Sequence, residues 1–198
     1  MDAAAWDRRY AAAELVWTAE PNRFVAAELA GVAPGRAVDL AAGEGRNALW
    51  LASRGWRVTA VDFSRVAVDK ARRLARHAGV TVDWVVADVL TYRLPGDADL
   101  VLVAYLHLPA ADLARVWAAA AAALAPGGVL LVVGHDLSNL TDGTGGPQDP
   151  ALLYDPDTIA GHLGALHVDH AARVTRPVPG ERVAVDTLVR AHRPAPPR

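Results

Sequence analysis

The chain has no cysteine. Disulfides, thiolate nucleophiles and thiolate metal sites are thereby excluded together, and a chain of this kind fits a reducing cytoplasm. Lysine is almost as scarce. Lys70 is the single one, and arginine supplies the rest of the basic charge. Methionine occurs once, at Met1, and phenylalanine twice, so the core must be built mostly from Ala, Val and Leu. There is no basic surplus either: 20 Lys and Arg face 22 Asp and Glu, for a formal net charge of -2. Proteins that grip nucleic-acid phosphates usually carry such a surplus, so no nucleic-acid partner is expected. The short basic run at Arg72, Arg73 and Arg76 alternates with apolar positions and reads as the wet side of a helix. Asp2, Asp7, Arg8 and Arg9 break any apolar run near the start, which leaves no signal-peptide core. One charge-free stretch, Val116 to Gly134, contains Pro126-Gly127-Gly128. It reads as a buried helix, a turn and a buried strand, not a membrane span.

What is present is a chain of 198 residues with 53% hydrophobic content, the size and composition of one compact domain. The expected organisation is a single domain over 1–193, its first 33 residues a helical lid, followed by a Pro-rich tail over 194–198. The hydrophobic period alternates along the chain. Helices are expected over Met1 to Leu15 and around Phe24, Val25 and Leu29. Strands are expected at Arg36–Leu40, Val58–Val61, Val82–Ala87, Asp99–Ala104 and Val129–Val133. Between the strands lie a helix carrying Ala48 and Leu51, a helix capped by Ser64 and ended near Gly79, and a helix over Leu113–Leu124. This βαβαβ rhythm predicts an α/β fold, a parallel sheet covered by helices. His135 to Asp155 reads as a long loop, of a length that is usually functional or disordered, and its Asp142-Gly143-Thr144-Gly145-Gly146 stretch is best taken as a flexible cover over the substrate pocket. After a short helix over Pro156–Leu163, strands at Leu166–Val174 and Arg182–Ala191 form an antiparallel hairpin at one sheet edge.

The segment richest in chemistry is Val38-Asp39-Leu40-Ala41-Ala42-Gly43-Glu44-Gly45-Arg46-Asn47. A strand ends in a carboxylate, and a small-residue loop then opens a helix. That geometry admits a ligand close to the backbone. Gly43, Gly45 and Ala48 fit the G-x-G-x-x-A pattern of dinucleotide sites, with Asp62 at the end of the next strand. Charge argues against a pyrophosphate there, because Asp39 and Glu44 bracket the loop. At about 4 Å and an effective dielectric near 20, each like-charge contact costs on the order of 4 kcal/mol. A ligand carrying an ammonium and a sulfonium is attracted instead, and S-adenosylmethionine has both. Asp88 follows the third strand, so three successive strand ends carry Asp39, Asp62 and Asp88. They suit an amino-acid moiety, a ribose and an adenine amino group in that order, with Phe63 placed to pack on the adenine.

These residues resemble the class I S-adenosylmethionine-dependent methyltransferases over roughly Arg36 to Val133. The resemblance implies a Rossmann-like, seven-stranded, mostly parallel sheet with an antiparallel C-terminal hairpin and helices on both faces. It assigns the methionine part of the cofactor to Gly43 and Gly45, the ribose to Asp62 and the adenine to Asp88. The cofactor-binding set it implies is Asp39, Ala41, Gly43, Gly45, Arg46, Asn47, Asp62, Phe63, Asp88, Val89 and Ala104. Ala41 departs from the family, which has glycine there. Gly43-Glu44-Gly45-Arg46-Asn47 with Leu49-Trp50-Leu51-Ala52, and Trp6-Asp7-Arg8-Arg9-Tyr10 with Trp17-Thr18-Ala19-Glu20-Pro21-Asn22, look like the small tellurite-resistance and thiopurine-type branch. In that branch the N-terminal helices form a lid, which brings Trp17 and Asn22 near the cofactor.

The acceptor implied by the resemblance is a small molecule held beyond the fourth and fifth strands. His107, in Tyr105-Leu106-His107-Leu108-Pro109, is the expected base or substrate contact. Tyr105, His135 and Asp136 are expected around the acceptor. No metal is expected, since His167 and His170 point to opposite faces of a strand and do not share a ligand set with His162. Two other readings remain: a non-catalytic module that binds S-adenosylmethionine, and an NAD(P)-dependent oxidoreductase. The short-chain form of the latter is excluded, because Val66 stands where its Tyr-x-x-x-Lys motif requires tyrosine before Lys70.

Overall fold

The computed structural model describes residues 3–178, 180 and 183–195. Seven strands form one sheet: β1 Arg36–Leu40, β2 Arg57–Asp62, β3 Asp83–Val86, β4 Ala98–Ala104, β5 Leu124–His135, β6 His167–Arg176 and β7 Ala184–His192. Their order is β3-β2-β1-β4-β5-β7-β6. Strands β1 to β5 pair in parallel, and β7 runs antiparallel between β5 and β6. The C-terminal hairpin therefore does extend the sheet, but its last strand is an inner one and β6 forms the edge. Arg182, expected to start that strand, and the last three residues of the Pro-rich tail lie outside the described residues.

Continuous apolar runs explain the buried centre. Leu100 to Val103 of β4 and Leu130 to Val133 of β5 are fully buried, as strands covered on both faces must be. Helix α5 (Ala110–Ala123) lays Leu113, Val116, Trp117 and Ala120 on one face, against Val38, Val101, Val103 and Val132. Helices α2 (Arg23–Leu29) and α3 (Arg46–Ser53) lay Val25, Leu29, Ala48 and Leu51 on the other, against Ala37, Ala60, Leu102 and Val133. Side chains alternate along a strand. Asp39, Asp62, Ala104 and His135, each two residues past one of those four, thus open at the carboxyl rim on the α2/α3 side.

Two segments are more ordered than their composition suggests. Strand β5 begins at Leu124 and passes through Pro126-Gly127-Gly128 as a bend, with Gly127 at φ 80°. The stretch 135–155 holds α6 (Asn139–Asp142), a 3-10 turn at Pro150–Leu152 and a bridge between Asp136 and Tyr154. Its Gly and Asn content masked a side-chain solution to the backbone's needs. The buried Asn139 amide donates to the carbonyls of Thr144 and Gly145 and accepts the Val185 N–H at 2.7 Å. Helix α7 (Pro156–Ala160) starts on Asp155, which accepts from the Thr158 N–H. Among the described residues, no helix is long and apolar enough to cross a membrane.

The N-terminal segment is latched onto this frame. Helix α1 (Ala3–Ala11) lies on α4 (Arg65–Ala78), where Asp7 accepts from the Ser64 hydroxyl and from the Val66 N–H at the positive end of that helix. The Lys70 ammonium reaches back to the Tyr10 and Ala13 carbonyls and to Glu44 at 3.0 Å. Glu44 in turn accepts the backbone N–H groups of Val16 and Trp17. A compact ammonium satisfies three acceptors around one point, which a planar guanidinium does not. That is a physical reason for the single lysine in an arginine-rich chain. Lys70→Met leaves Glu44 as an uncompensated buried charge and is expected to cost about 3 kcal/mol. Limited proteolysis within residues 12–21 should quicken at least tenfold; an unchanged cleavage rate would show that the segment is held by other contacts.

Candidate functional site

The turn from β1 to α3 is made by three left-handed residues, Ala41 at φ 57°, Gly43 at φ 57° and Gly45 at φ 82°. Alanine takes this shape only at some cost. The two glycines also have no room for a side chain. A Cβ on Gly43 would stand 2.8 Å from the Tyr10 hydroxyl, and one on Gly45 would stand 2.3 Å from the Trp84 ring. Tyr10, from the lid, thus closes directly over the loop. Trp17 lies beside it, with its indole N–H lowering the Tyr10 pKa while burial, Asp62 and Glu44 together push that hydroxyl up to about 12.

Asp39 lies under this turn, fully buried; neither carboxylate oxygen makes a hydrogen bond of full geometry among the described residues, and the Ala48 N–H in the first turn of α3 is the backbone donor that acts on it. Burial, reinforced by Asp62, pushes its carboxyl up to about 7, against the pull of Arg46. Asp62 is also buried, but each oxygen is held: one accepts the Gly43 N–H and the other the Ser64 N–H, both at 2.8 Å. Burial still raises its pKa. Phe63 next to it is half-buried. Asp88 lies two residues past β3 in an exposed turn, where one oxygen accepts the Leu90 N–H at 2.9 Å, and Val89 beside it is buried. Glu44 does not line the crevice. It faces Lys70 and the lid backbone, so of the two carboxylates expected to bracket the loop, only Asp39 stands under it.

Arg46 opens α3 and stands over the Tyr105 ring at 5.9 Å, with one long hydrogen bond of 3.5 Å to the Thr18 hydroxyl. Burial draws its pKa down, and the attraction of Tyr105 and Asp39 opposes that. Asn47 is buried and accepts the Asn22 N–H at 2.9 Å. Asn22 caps α2 through the Phe24 and Val25 N–H groups and donates to the Tyr105 hydroxyl at 3.2 Å. It ties the lid to the end of β4.

Beyond Ala104, the acceptor side of the rim is a polar cluster. Tyr105 is held at φ 57°, a strained shape for a bulky residue. Its hydroxyl donates to Asp186 at 2.8 Å and accepts from Arg176 at 3.1 Å. His107 has Nδ1 at 3.0 Å from the Leu152 carbonyl and Nε2 at 3.4 Å from the His135 N–H. Burial pulls its imidazole down to about 4, so it is neutral at pH 7. His135 stacks on His107 and lies 3.2 Å from Asp186. Asp136 points to the other face. There it accepts from Thr187, from the Ser138 hydroxyl and backbone, and from Arg173, and these bonds outweigh its burial to lower its pKa. The structure thus brings Tyr105, His107 and His135 together and turns Asp136 into a staple of the sheet edge. Asp186, Arg176 and Tyr154 complete the cluster. They sit in the C-terminal third, where nothing local in the sequence marks them. Among the described residues no group of three or more His, Asp or Glu is arranged to hold a metal ion.

Residues 37–128 match the family model described as a methyltransferase domain. Solved structures share the fold. The N-methyltransferase NodS from Bradyrhizobium japonicum WM9, in complex with S-adenosyl-L-homocysteine, is 18% identical with a TM-score of 0.76; the match covers 98% of this chain and 100% of that one. TehB from Haemophilus influenzae is 14% identical with a TM-score of 0.75, over 87% of this chain and 62% of that one. The magnesium protoporphyrin IX methyltransferase ChlM from Synechocystis PCC 6803, with bound SAH, is 19% identical with a TM-score of 0.67, over 86% and 80%. Among curated proteins, no sequence matches the chain.

Two substitutions test the strain and charge in this crevice. Ala41→Gly removes a left-handed alanine but frees the unfolded chain. A net gain of about 0.5 kcal/mol in urea unfolding is expected, and a loss beyond 1 kcal/mol would contradict the strained geometry. For Asp39 the folded pKa, about 7, exceeds the ordinary carboxylate value. The folded state therefore holds an extra proton between about pH 4 and 7, and stability falls as pH rises through that window. Asp39→Asn should be about 3 kcal/mol more stable than the parent at pH 8 and nearly equal to it at pH 4. Equal stability at both pH values would contradict the buried, poorly compensated carboxyl.

Proposed function

We propose that the chain, whose residues 37–128 match a methyltransferase-domain model and whose fold is that of solved methyltransferases, is a class I S-adenosylmethionine-dependent methyltransferase that methylates a small molecule by in-line transfer. The observation that supports this most is the buried Asp39 carboxyl under a glycine turn at the carboxyl rim, with neither oxygen in a full hydrogen bond and only the Ala48 N–H and Arg46 acting to offset its burial. A cationic ammonium is the partner such a group lacks, and the cofactor supplies one together with an electrophilic sulfonium methyl. Gly43 and Gly45 let the methionine portion approach the backbone. Asp62, already fixed by two N–H bonds, keeps lone pairs for a ribose diol. Asp88 has one oxygen left for an adenine amino group, and Phe63 and Val89 provide an apolar wall. Arg46 offers unused donors to a carboxylate.

The remaining residues align and seal. Tyr10 and Trp17 close the loop from above, and Asn22 fixes the lid to Tyr105. Holding a nucleophile about 3 Å from the methyl carbon in a dry site supplies most of what such a displacement needs. The acceptor is assigned to the side of Tyr105, His107 and His135, which meet beyond the end of β4.

Calorimetry with S-adenosylmethionine tests the reading, with micromolar binding expected and no heat with NADH. Asp88→Ala, an exposed change that spares the fold, should weaken binding by about five- to tenfold through one lost hydrogen bond. Absence of binding at millimolar cofactor would sink the proposal.

A further inference from the structure

The acceptor side contains a second pairing of acid and imidazole that the sequence does not show. His135 ends β5 and Asp186 opens β7, and they are register partners across antiparallel strands. Partners in register project to the same face, which brings His135 Nδ1 within 3.2 Å of Asp186 Oδ1. Both atoms are buried and neither is hydrogen-bonded elsewhere among the described residues; their own approach is a close contact without the alignment of a full hydrogen bond. Asp186 is fully buried, and its second oxygen is saturated by the Tyr105 hydroxyl at 2.8 Å and Arg176 Nε at 2.7 Å. The carboxylate is thus locked in place, with Oδ1 left for the imidazole. The ring faces His107, stacked at 5.4 Å, the Tyr105 ring at 5.1 Å, and Gly146 of the covering loop. A Cβ on Gly146 would stand 2.6 Å from the imidazole, so the loop leaves room for the ring only because that residue is glycine. His107, by contrast, has its Nδ1 engaged by the Leu152 carbonyl and its Nε2 facing the His135 N–H.

We infer that His135, oriented by Asp186, is the base that takes the proton from the acceptor, and that the acceptor is therefore a hydroxyl or amine compound and not a thiol. This rests on the methyl-transfer reading above. A carboxylate oxygen 3.2 Å from Nδ1 favours the tautomer that carries its proton there and its lone pair on Nε2. A thiol ionises readily near neutrality, whereas a phenol or an alkylammonium does not and gains from a positioned base. In the step, Nε2 accepts the proton from the acceptor's oxygen or nitrogen. The freed electron pair of that atom forms the bond to the methyl carbon as the carbon–sulfur bond breaks, its pair remaining on sulfur in the thioether product. The proton on His135 then passes to water. His135 is the catalytic residue, and Asp186 is a positioning residue. Tyr105, His107 and Arg176 are the other titratable or charged groups around the pair.

Nitrogen-15 NMR of the imidazoles, with S-adenosylhomocysteine present, reads the tautomer directly. His135 should carry its proton on Nδ1, and Asp186→Asn should abolish that preference. A panel of phenols and primary amines, with thiophenol as the soft nucleophile, reads the chemistry. At least one phenol or amine should be methylated, and His135→Gln should cut its kcat at least 100-fold while S-adenosylmethionine affinity by calorimetry stays within threefold. A His135 proton on Nε2, turnover of thiophenol alone, cofactor binding without turnover of any phenol or amine, or full kcat in His135→Gln would each overturn the inference and leave the cofactor reading standing. A wild-type protein that binds no S-adenosylmethionine would remove both.

Discussion

A carboxyl group buried with too little hydrogen bonding to offset its desolvation is among the costlier things a fold can contain. Here it is Asp39, at the carboxyl end of the central strand β1, with Asp62 raising the cost further. The surrounding structure is arranged around that liability. Three left-handed residues carry the chain over it, α3 begins immediately beyond it, and Arg46 provides only partial compensation. An apolar substitution would stabilise the fold by itself, and the ammonium of the proposed cofactor is the partner that gives an acid a use there. A cation that arrives from outside changes the balance, turning a destabilising group into a recognition element.

The rest of the site follows from enclosing this acid. The lid is held by one ammonium, Lys70, that gathers two carbonyls and Glu44, while Glu44 gathers two lid N–H groups. Asn22 and Asn47 then join the lid to α3 and to Tyr105. Tyr105 carries the connection to Asp186 and Arg176 at the far end of the sheet. The proposed cofactor and acceptor sides are thus one hydrogen-bonded structure, and both lie on the same face of the sheet. Parity along the strands decides this: Asp39, Asp62 and His135 share a face, and Asp136, one residue on, is forced to the other.

The fold was legible because its signals are local. Apolar runs in β4 and β5, the Ser64 cap and the glycine turn each announce an element within a few residues. The strand-end acids were legible for the same reason, since parallel topology collects consecutive strand ends on one rim. What escaped is long-range. Asp186 and Arg176 reach the site only through antiparallel pairing with β5, and no spacing near them signals it. Lys70 was conspicuous by its rarity, but its acceptors lie some 60 residues away in sequence, at Tyr10. Glu44 read as a second acid under the ligand because the loop sequence does not reveal which way its side chain turns. The segment 135–155 read as a long loop, with a flexible cover at 142–146, because composition cannot show that one amide, from Asn139, satisfies three backbone groups.

Asp39, buried and only partly ionised near neutrality, is the proposed partner of the cofactor's ammonium. The most direct test of this pairing is the proton balance of cofactor binding, measured by calorimetry at pH 7 in two buffers of different ionisation enthalpy. With the carboxyl near half-protonated in the free protein, S-adenosylmethionine should displace about half a proton per molecule bound, and Asp39→Asn should reduce that release to near zero. Binding with no proton release, or with the same release in the variant, would contradict the account.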